Sequence, residues 1–202
     1  MPERIFQQEY LAEFIEDSGS VFRHIMEQTT AIEQREPVAG HEYALGCDWA
    51  KHEDYTCITV LDCTLKAAVY QDRFNRIDYA VQMNRLKALY ERFKPATVVV
   101  ERNSMGEPLV EQLQRDGWPV EPFQTTNASK QQAIDALALA FERGEITITP
   151  DPVLIGELQA YEMERLPSGL LRYNAPAGMH DDCVMSLALA WQAVSTPHWW
   201  IY

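Results

Sequence analysis

Several things are scarce in this chain of 202 residues, and each scarcity excludes something. No apolar run approaches the roughly 20 residues of a membrane-spanning helix, so no such helix is expected in these residues. Met1-Pro2-Glu3-Arg4 lacks the basic start and apolar stretch of a secretory signal, which makes the cytoplasm the expected compartment. No G-x-x-x-x-G-K-[ST] motif occurs, so the glycine-rich phosphate loop of many ATPases is missing from these residues. The four cysteines, Cys47, Cys57, Cys63 and Cys183, form no C-x-x-C pair and no disulfide rhythm, and buried reduced thiols are expected. A zinc tetrad of Cys47, His52, His180 and Cys183 is conceivable, but it lacks paired ligand spacing. Positive charge is short too: 17 Lys and Arg face 30 Asp and Glu, a formal net charge of -13. Tight wrapping of nucleic acid rests on cations that neutralise phosphates, so that class of binder is disfavoured; an enzyme acting on DNA is not.

What is present suits one globular domain. With 47% hydrophobic and 23% charged residues, the chain can bury one sizeable core. Phe6, Tyr10, Leu11, Phe14 and Ile15 recur at helical spacing until Asp17-Ser18-Gly19-Ser20 breaks the pattern, and residues 29–41 are polar with Pro37 and Gly40. Residues 1–40 are therefore expected to be a helical extension and linker, and residues 41–202 the main domain. Within it, strands are predicted at 43–49, 55–61 and 65–74, joined by short polar turns into an antiparallel meander. A helix over 78–93, with Val81, Leu86, Leu89 and Phe93 inward, ends before Pro95. Thr97-Val98-Val99-Val100 shows no polar alternation, the mark of a strand buried on both faces. Helices at 108–115 and 129–143 and strands at 120–123 and 145–148 follow. A hairpin of 158–166 and 170–173 around Pro167-Ser168-Gly169, then a helix from about His180 to Val194, complete a mixed α/β sheet with helices on both faces.

Acidic residues stand where three of these elements begin or end. Asp48 closes the first strand in Leu45-Gly46-Cys47-Asp48-Trp49, Glu101 follows the buried strand, and Asp181-Asp182 opens the last helix. Ligands of open α/β sheets bind beyond the strand ends, so Asp48 and Glu101 share a pocket if the first and fourth strands are neighbours. Carboxylates converging without cationic partners repel one another and call for a divalent cation; hard oxygen donors select Mg2+ or Mn2+. Two such ions about 3.5–4 Å apart suit phosphodiester hydrolysis. Each acid also has a plainer role open to it: Asp181 or Asp182 as a helix cap, Asp48 as a turn acid, Glu101 as a surface partner of Arg102.

The run Leu45-Gly46-Cys47-Asp48-Trp49-Ala50-Lys51-His52-Glu53-Asp54-Tyr55-Thr56 resembles the opening strand and turn of the nuclease domain of phage large terminase subunits. Val99-Val100-Glu101-Arg102-Asn103-Ser104-Met105-Gly106 is similar to that family's second acidic strand, with its Asn-Ser-x-Gly turn. Residues 175–182, running into Ser186-Leu187-Ala188-Leu189-Ala190, resemble its third acidic motif, and residues 8–14 with 19–23 resemble its segment between motor and nuclease. The resemblance implies a ribonuclease H-like fold and a two-metal endonuclease, using Mg2+ or Mn2+, that cuts concatemeric viral DNA during packaging. Carried over by position, Asp48, Glu101 and Asp182 are the implied metal ligands, and Asp181 is a neighbouring acid that assists or replaces Asp182. Adjacent residues on a helix point about 100° apart, so one of the pair should dominate, and Asp182 is favoured. Double-stranded DNA, an ATPase motor domain, a small terminase subunit and a portal are the implied partners, in the cytoplasm of the infected host cell. Without the motor's phosphate loop, either an excised domain or one part of a split packaging protein is expected.

Four further residues are candidates for DNA contact. Lys130, in Thr126-Asn127-Ala128-Ser129-Lys130, resembles a lysine that the family keeps at the start of this helix, and could contact the DNA backbone. His180 could orient water or a phosphate, and Lys51 and Arg102 could steer phosphate; ordinary surface charge accounts for each as well. Two rival readings stand beside the nuclease. The first strand and turn also resemble the phosphate-binding hairpin of the actin and sugar-kinase superfamily, an ATP-binding reading that needs a second equivalent half. A non-catalytic docking module is the other, its acids holding a structural cation and its aromatic tail, residues 197–202, meeting a partner.

Overall fold

The structure, a computed structural model, describes residues 20–49, 55–102, 106–165 and 171–195. The helix expected over residues 6–15, Lys51, His52, the Pro167-Ser168-Gly169 turn and the aromatic tail lie outside the described residues.

Three strands, β1 (Tyr43–Asp48), β2 (Thr56–Asp62) and β3 (Ala67–Phe74), form the expected antiparallel meander. Parallel pairings extend it on both sides: β4 (Thr97–Glu101) pairs with β1, β5 (Val120–Phe123) with β4, and β6 (Thr147–Ile148) with β3. The resulting six-stranded sheet has the order β5-β4-β1-β2-β3-β6. Its helices are α1 (Tyr79–Phe93), α2 (Gly106–Arg115), α3 (Asn127–Glu142), α4 (Pro152–Ala160) and α5 (Asp182–Ser195), and a separate hairpin pairs β7 (Glu162–Arg165) with β8 (Leu171–Asn174).

Side chains alternate across a strand, so each central strand feeds two cores. Leu45, Cys47, Ile58, Val60, Val98 and Val100 pack with α1 and α2. Cys57, Leu61 and Val99 meet α3, α4 and α5 on the opposite face. Thr97 through Val100 of β4 are all buried, which is why that strand carries no polar alternation.

The seat of α5 explains a glycine. A Cβ on Gly46 would come within 2.1 Å of the Ser186 carbonyl oxygen and 2.3 Å of the Ala190 nitrogen, so α5 lies directly on β1 and no larger residue fits. A buried polar set fixes the same helix over the neighbouring strands. Thr59 Oγ1 and Ser186 Oγ are 2.7 Å apart, and Gln71 Nε2 donates to Thr59 Oγ1 at 2.9 Å and to the Cys183 carbonyl at 3.4 Å.

Several expectations shift. Val81 is exposed and Met83 takes its inward place on α1. Residues 158–160, predicted as the start of a hairpin strand, belong to α4, and the strand begins only at Glu162. Local chemistry sets that helix: Asp151 accepts from the amides of Val153 and Leu154, and Pro152 suits the first turn. Helix α5 starts at Asp182, two residues beyond His180, and β6 is only two residues long. Residues 20–41 run along the domain without a helix or a ladder strand, yet Val21, Phe22 and Ile25 are buried in the α5-side core, with the Phe22 ring edge-on to Phe141.

Candidate metal centre

In β1 and β4, parallel neighbours, Cys47 lies opposite Val100. The next residue of each, Asp48 and Glu101, therefore leaves the sheet at the same edge. By parity both share a face with Gly46 and Val99, the face that α5 covers. The close approach of α5 at Gly46 carries its first residue, the buried Asp182, and the preceding Asp181 towards that edge.

The acids feel one another. Burial pushes the Asp48 carboxyl well above the usual carboxylate range, and the charge of Glu101, a hydrogen bond with Glu101, and the charges of Asp182 and Asp181 push it the same way. Like charges gathered in a partly dry site have this effect. Each of the others also has a neighbour. Thr125 Oγ1 donates to Glu101 Oε1 at 2.5 Å, Lys130 Nζ donates to Asp181 Oδ2 at 2.8 Å, and His180 Nδ1 lies 3.7 Å from Asp182 Oδ2. The fully buried Tyr161 faces the same cluster: burial, then the charges of Asp181 and Asp48, push its hydroxyl far above the usual tyrosine range. As the side chains stand, no three of the described His, Cys, Asp and Glu residues are gathered closely enough to hold one ion.

The plainer roles fare less well. A capping Asp181 or Asp182 would bond the amides of the first turn, but those of Cys183 and Val184 donate to Glu157 Oε2, at 2.8 and 3.3 Å. Arg102 pairs with Glu107 at 2.7 Å instead of with Glu101. The zinc tetrad does not assemble either: Cys47 lies in the core under α1 and α2 and Cys183 in the core on the other face, with the sheet between them. Cys183 instead adjoins Cys57, Sγ to Sγ 3.6 Å, and both are free thiols.

Of the four candidate DNA contacts, Lys130 turns inward to Asp181 with its side chain 19% exposed, and Arg102 is at the surface. His180 is half-exposed at the rim, edge-on to the Tyr55 ring with 5.2 Å between ring centres. Lys51 lies outside the described residues. Sequence reasoning missed Glu157, Arg73, Tyr161 and Thr125. Glu157, on α4, is buried, and burial pushes its carboxyl up to about 7; the two α5 amides and Arg73 oppose this and the charge of Asp182 adds to it. The Asp151-Pro152 helix start was a usable signal for α4, though not for which of its residues turn inward.

A meander continued by parallel strands, helices on both faces, and acids at the ends of two adjacent parallel strands define a ribonuclease H-like domain. Residues 45–193 match the family described as the terminase RNaseH-like domain, and the chain belongs to that family. The large terminase subunits of Thermus virus P23-45 and Thermus phage G20c are each 34% identical over 200 residues, which is 95% of this chain and 41% of the relative. The chain thus spans less than half the length of these curated relatives. The crystal structure of the large terminase nuclease from thermophilic phage G20c superposes with a TM-score of 0.78 at 31% identity, covering 86% of this chain and 98% of that one. That nuclease has also been solved with bound magnesium, cobalt and zinc. The large terminase nuclease domain of Thermus phage P74-26 superposes with a TM-score of 0.74 at 31% identity, over 86% of this chain and 94% of its own.

Proposed function

We propose that this domain is a divalent-metal-dependent endodeoxyribonuclease that cuts concatemeric viral DNA during genome packaging, in the cytoplasm of the infected host cell. The observation that carries the reading is the placement of Asp48 and Glu101 side by side at one sheet edge, with Asp181 and Asp182 close enough for their charges to act on Asp48. The donors fit the group: hard carboxylate oxygens, too crowded to be comfortably charged together, suit Mg2+ or Mn2+. Bound there, a pair of such ions would activate water and stabilise the leaving oxygen of a phosphodiester.

The chain's own residues have distinct parts. Asp48 and Glu101 would offer carboxylate oxygens to the metal from the strand ends, Thr125 fixes the Glu101 carboxylate by its hydrogen bond, and Asp182 would complete the ligand set from α5. Asp181 is held by Lys130 as the accessory acid, able to exchange that cation for a metal. His180 stands at the rim, where it can meet DNA backbone or water. A net charge of -13 leaves little affinity for DNA by itself. The motor domain, small subunit and portal would deliver the duplex, replacing affinity with effective concentration.

Incubating supercoiled plasmid with the chain and Mn2+ tests this. Nicking or linearisation is expected, lost on Asp48→Asn and falling steeply with added salt. A wild-type chain that leaves the plasmid intact would sink the proposal, as would cutting that Asp48→Asn does not affect. ATP turnover in place of cleavage would favour the actin-like reading.

A further inference from the structure

We infer that Glu157 is a positioning residue: from α4 it caps the first turn of α5 and so fixes where Asp181 and Asp182 stand relative to Asp48 and Glu101. The catalytic half of this inference rests on the nuclease reading above.

The first turn of any helix leaves backbone N–H groups without partners inside the helix, and the residue just before the helix ordinarily supplies the acceptor. In α5 that residue is Asp181, whose carboxylate is engaged by Lys130. Glu157 supplies the acceptor from another helix, its Oε2 taking both the Cys183 and the Val184 amides. The arrangement divides the labour. A carboxylate from α4 thus takes, at the Cys183 and Val184 amides, the acceptor role that the residue before a helix ordinarily fills.

The choice of a carboxylate is costly where it stands. Glu157 is only 6% exposed, and its neighbour Asp182 carries the same charge. The positive end of the α5 dipole and Arg73, whose Nη2 is 3.7 Å from Glu157 Oε1, offset that cost. Arg73 is itself held over the Tyr55 ring at 3.3 Å, and Tyr55 meets His180, which reaches back to within 3.7 Å of Asp182. Glu157, Arg73, Tyr55 and His180 thus form a belt that leaves the α5 N-terminus at the amides and returns to it at Asp182. The belt runs beside the site, since Cys57 pairs with both Asp48 and Arg73, and the leverage of Glu157 is through the position of α5, whose Cys183 and Val184 amides it holds.

The experiment compares wild type, Glu157→Gln, Glu157→Ala and Asp62→Asn, the last a substitution outside the acidic cluster that is expected to lower stability by weakening the Asp62 contacts with His41 and the Leu65 amide. Amide hydrogen exchange at Cys183 and Val184, steady-state plasmid cleavage in Mn2+ and thermal unfolding are read for each. For Glu157→Ala, faster exchange at the two amides with the rest of α5 still protected is expected. A kcat lower by about 10- to 100-fold at little-changed KM should accompany it, the loss typical when groups that orient metal ligands are removed. Glu157→Gln keeps a neutral acceptor and should exchange faster than wild type, while losing less than about tenfold in kcat. Asp62→Asn should lose stability and keep its kcat. Unchanged exchange in both Glu157 variants overturns the inference, as does a kcat loss in Asp62→Asn equal to that of Glu157→Ala at matched stability. Should the alanine variant not fold, the glutamine variant decides alone: exchange identical to wild type overturns the inference. Should wild type not cut plasmid, the nuclease reading falls, and the exchange arm still tests whether Glu157 seats α5.

Discussion

At the scale of single residues, Lys130 separates two accounts of one side chain. Its position in the sequence suggested a contact with the DNA backbone, but its ammonium is 2.8 Å from Asp181 and largely covered. A lysine that neutralises phosphate contributes about one unit to the slope of log affinity against log salt; one that holds an internal acid does not. Lys130→Met is therefore expected to lower plasmid cleavage and leave that slope unchanged, measured by DNA binding with Ca2+ in place of Mn2+. A slope reduced by about one would return Lys130 to the DNA interface. Asp62 belongs to stability instead. It is fully buried, and burial pushes its carboxyl up. The His41 ring at 2.7 Å, the Leu65 amide and Gln34 outweigh that and leave its pKa below the usual aspartate range. A depressed pKa stabilises the fold above the unfolded-state value, and that contribution is lost as pH falls through the folded value. Urea midpoints measured between about pH 2 and 6 should accordingly show a shallower acid limb in Asp62→Asn than in wild type; parallel limbs would contradict this.

At the scale of elements, how legible each one was depended on whether its pattern was local. The meander, β4 and α1 announce themselves by strand-like runs joined through short polar turns, by an unbroken β-branched run and by helical spacing, and Lys94, in the left-handed region at φ 46, ends α1 just before Pro95. Helix α4 did not. Leu154 and Leu158 are inward but sit among apolar neighbours whose spacing suits a strand as well. Asp48, Glu101 and Asp182 could be singled out because each sits at an element boundary. Glu157 and Arg73 could not, since their partners are 18 or more residues away in the chain and only packing joins them. Gly46 shows the same limit: in sequence it is a glycine inside a strand, and only α5 explains it. Gly46→Ala forces a methyl group into the Ser186 carbonyl, so a loss at or above the roughly 3 kcal/mol upper end usual for overpacking is expected by urea unfolding, with cleavage failing as α5 is displaced. A change under about 1 kcal/mol would mean that α5 does not rest on β1 as described.

At the scale of the whole molecule, the site exists only as a product of the topology. Asp48 and Glu101 are 53 residues apart in sequence and Glu101 and Asp181 a further 80, and two adjacent parallel strands with one crossing helix bring them to one edge. The net charge of -13 disfavours DNA affinity that rests on phosphate neutralisation, as the proposed reading assumes. Everything functional follows from the claim that these acids hold divalent cations together. A crystal of this domain soaked in Mn2+ and measured by anomalous diffraction tests that claim most directly. Manganese peaks bridging Asp48 and Glu101, at least one also ligated by Asp182 or Asp181, are predicted; a well-ordered soaked crystal with no manganese among these carboxylates would contradict the account.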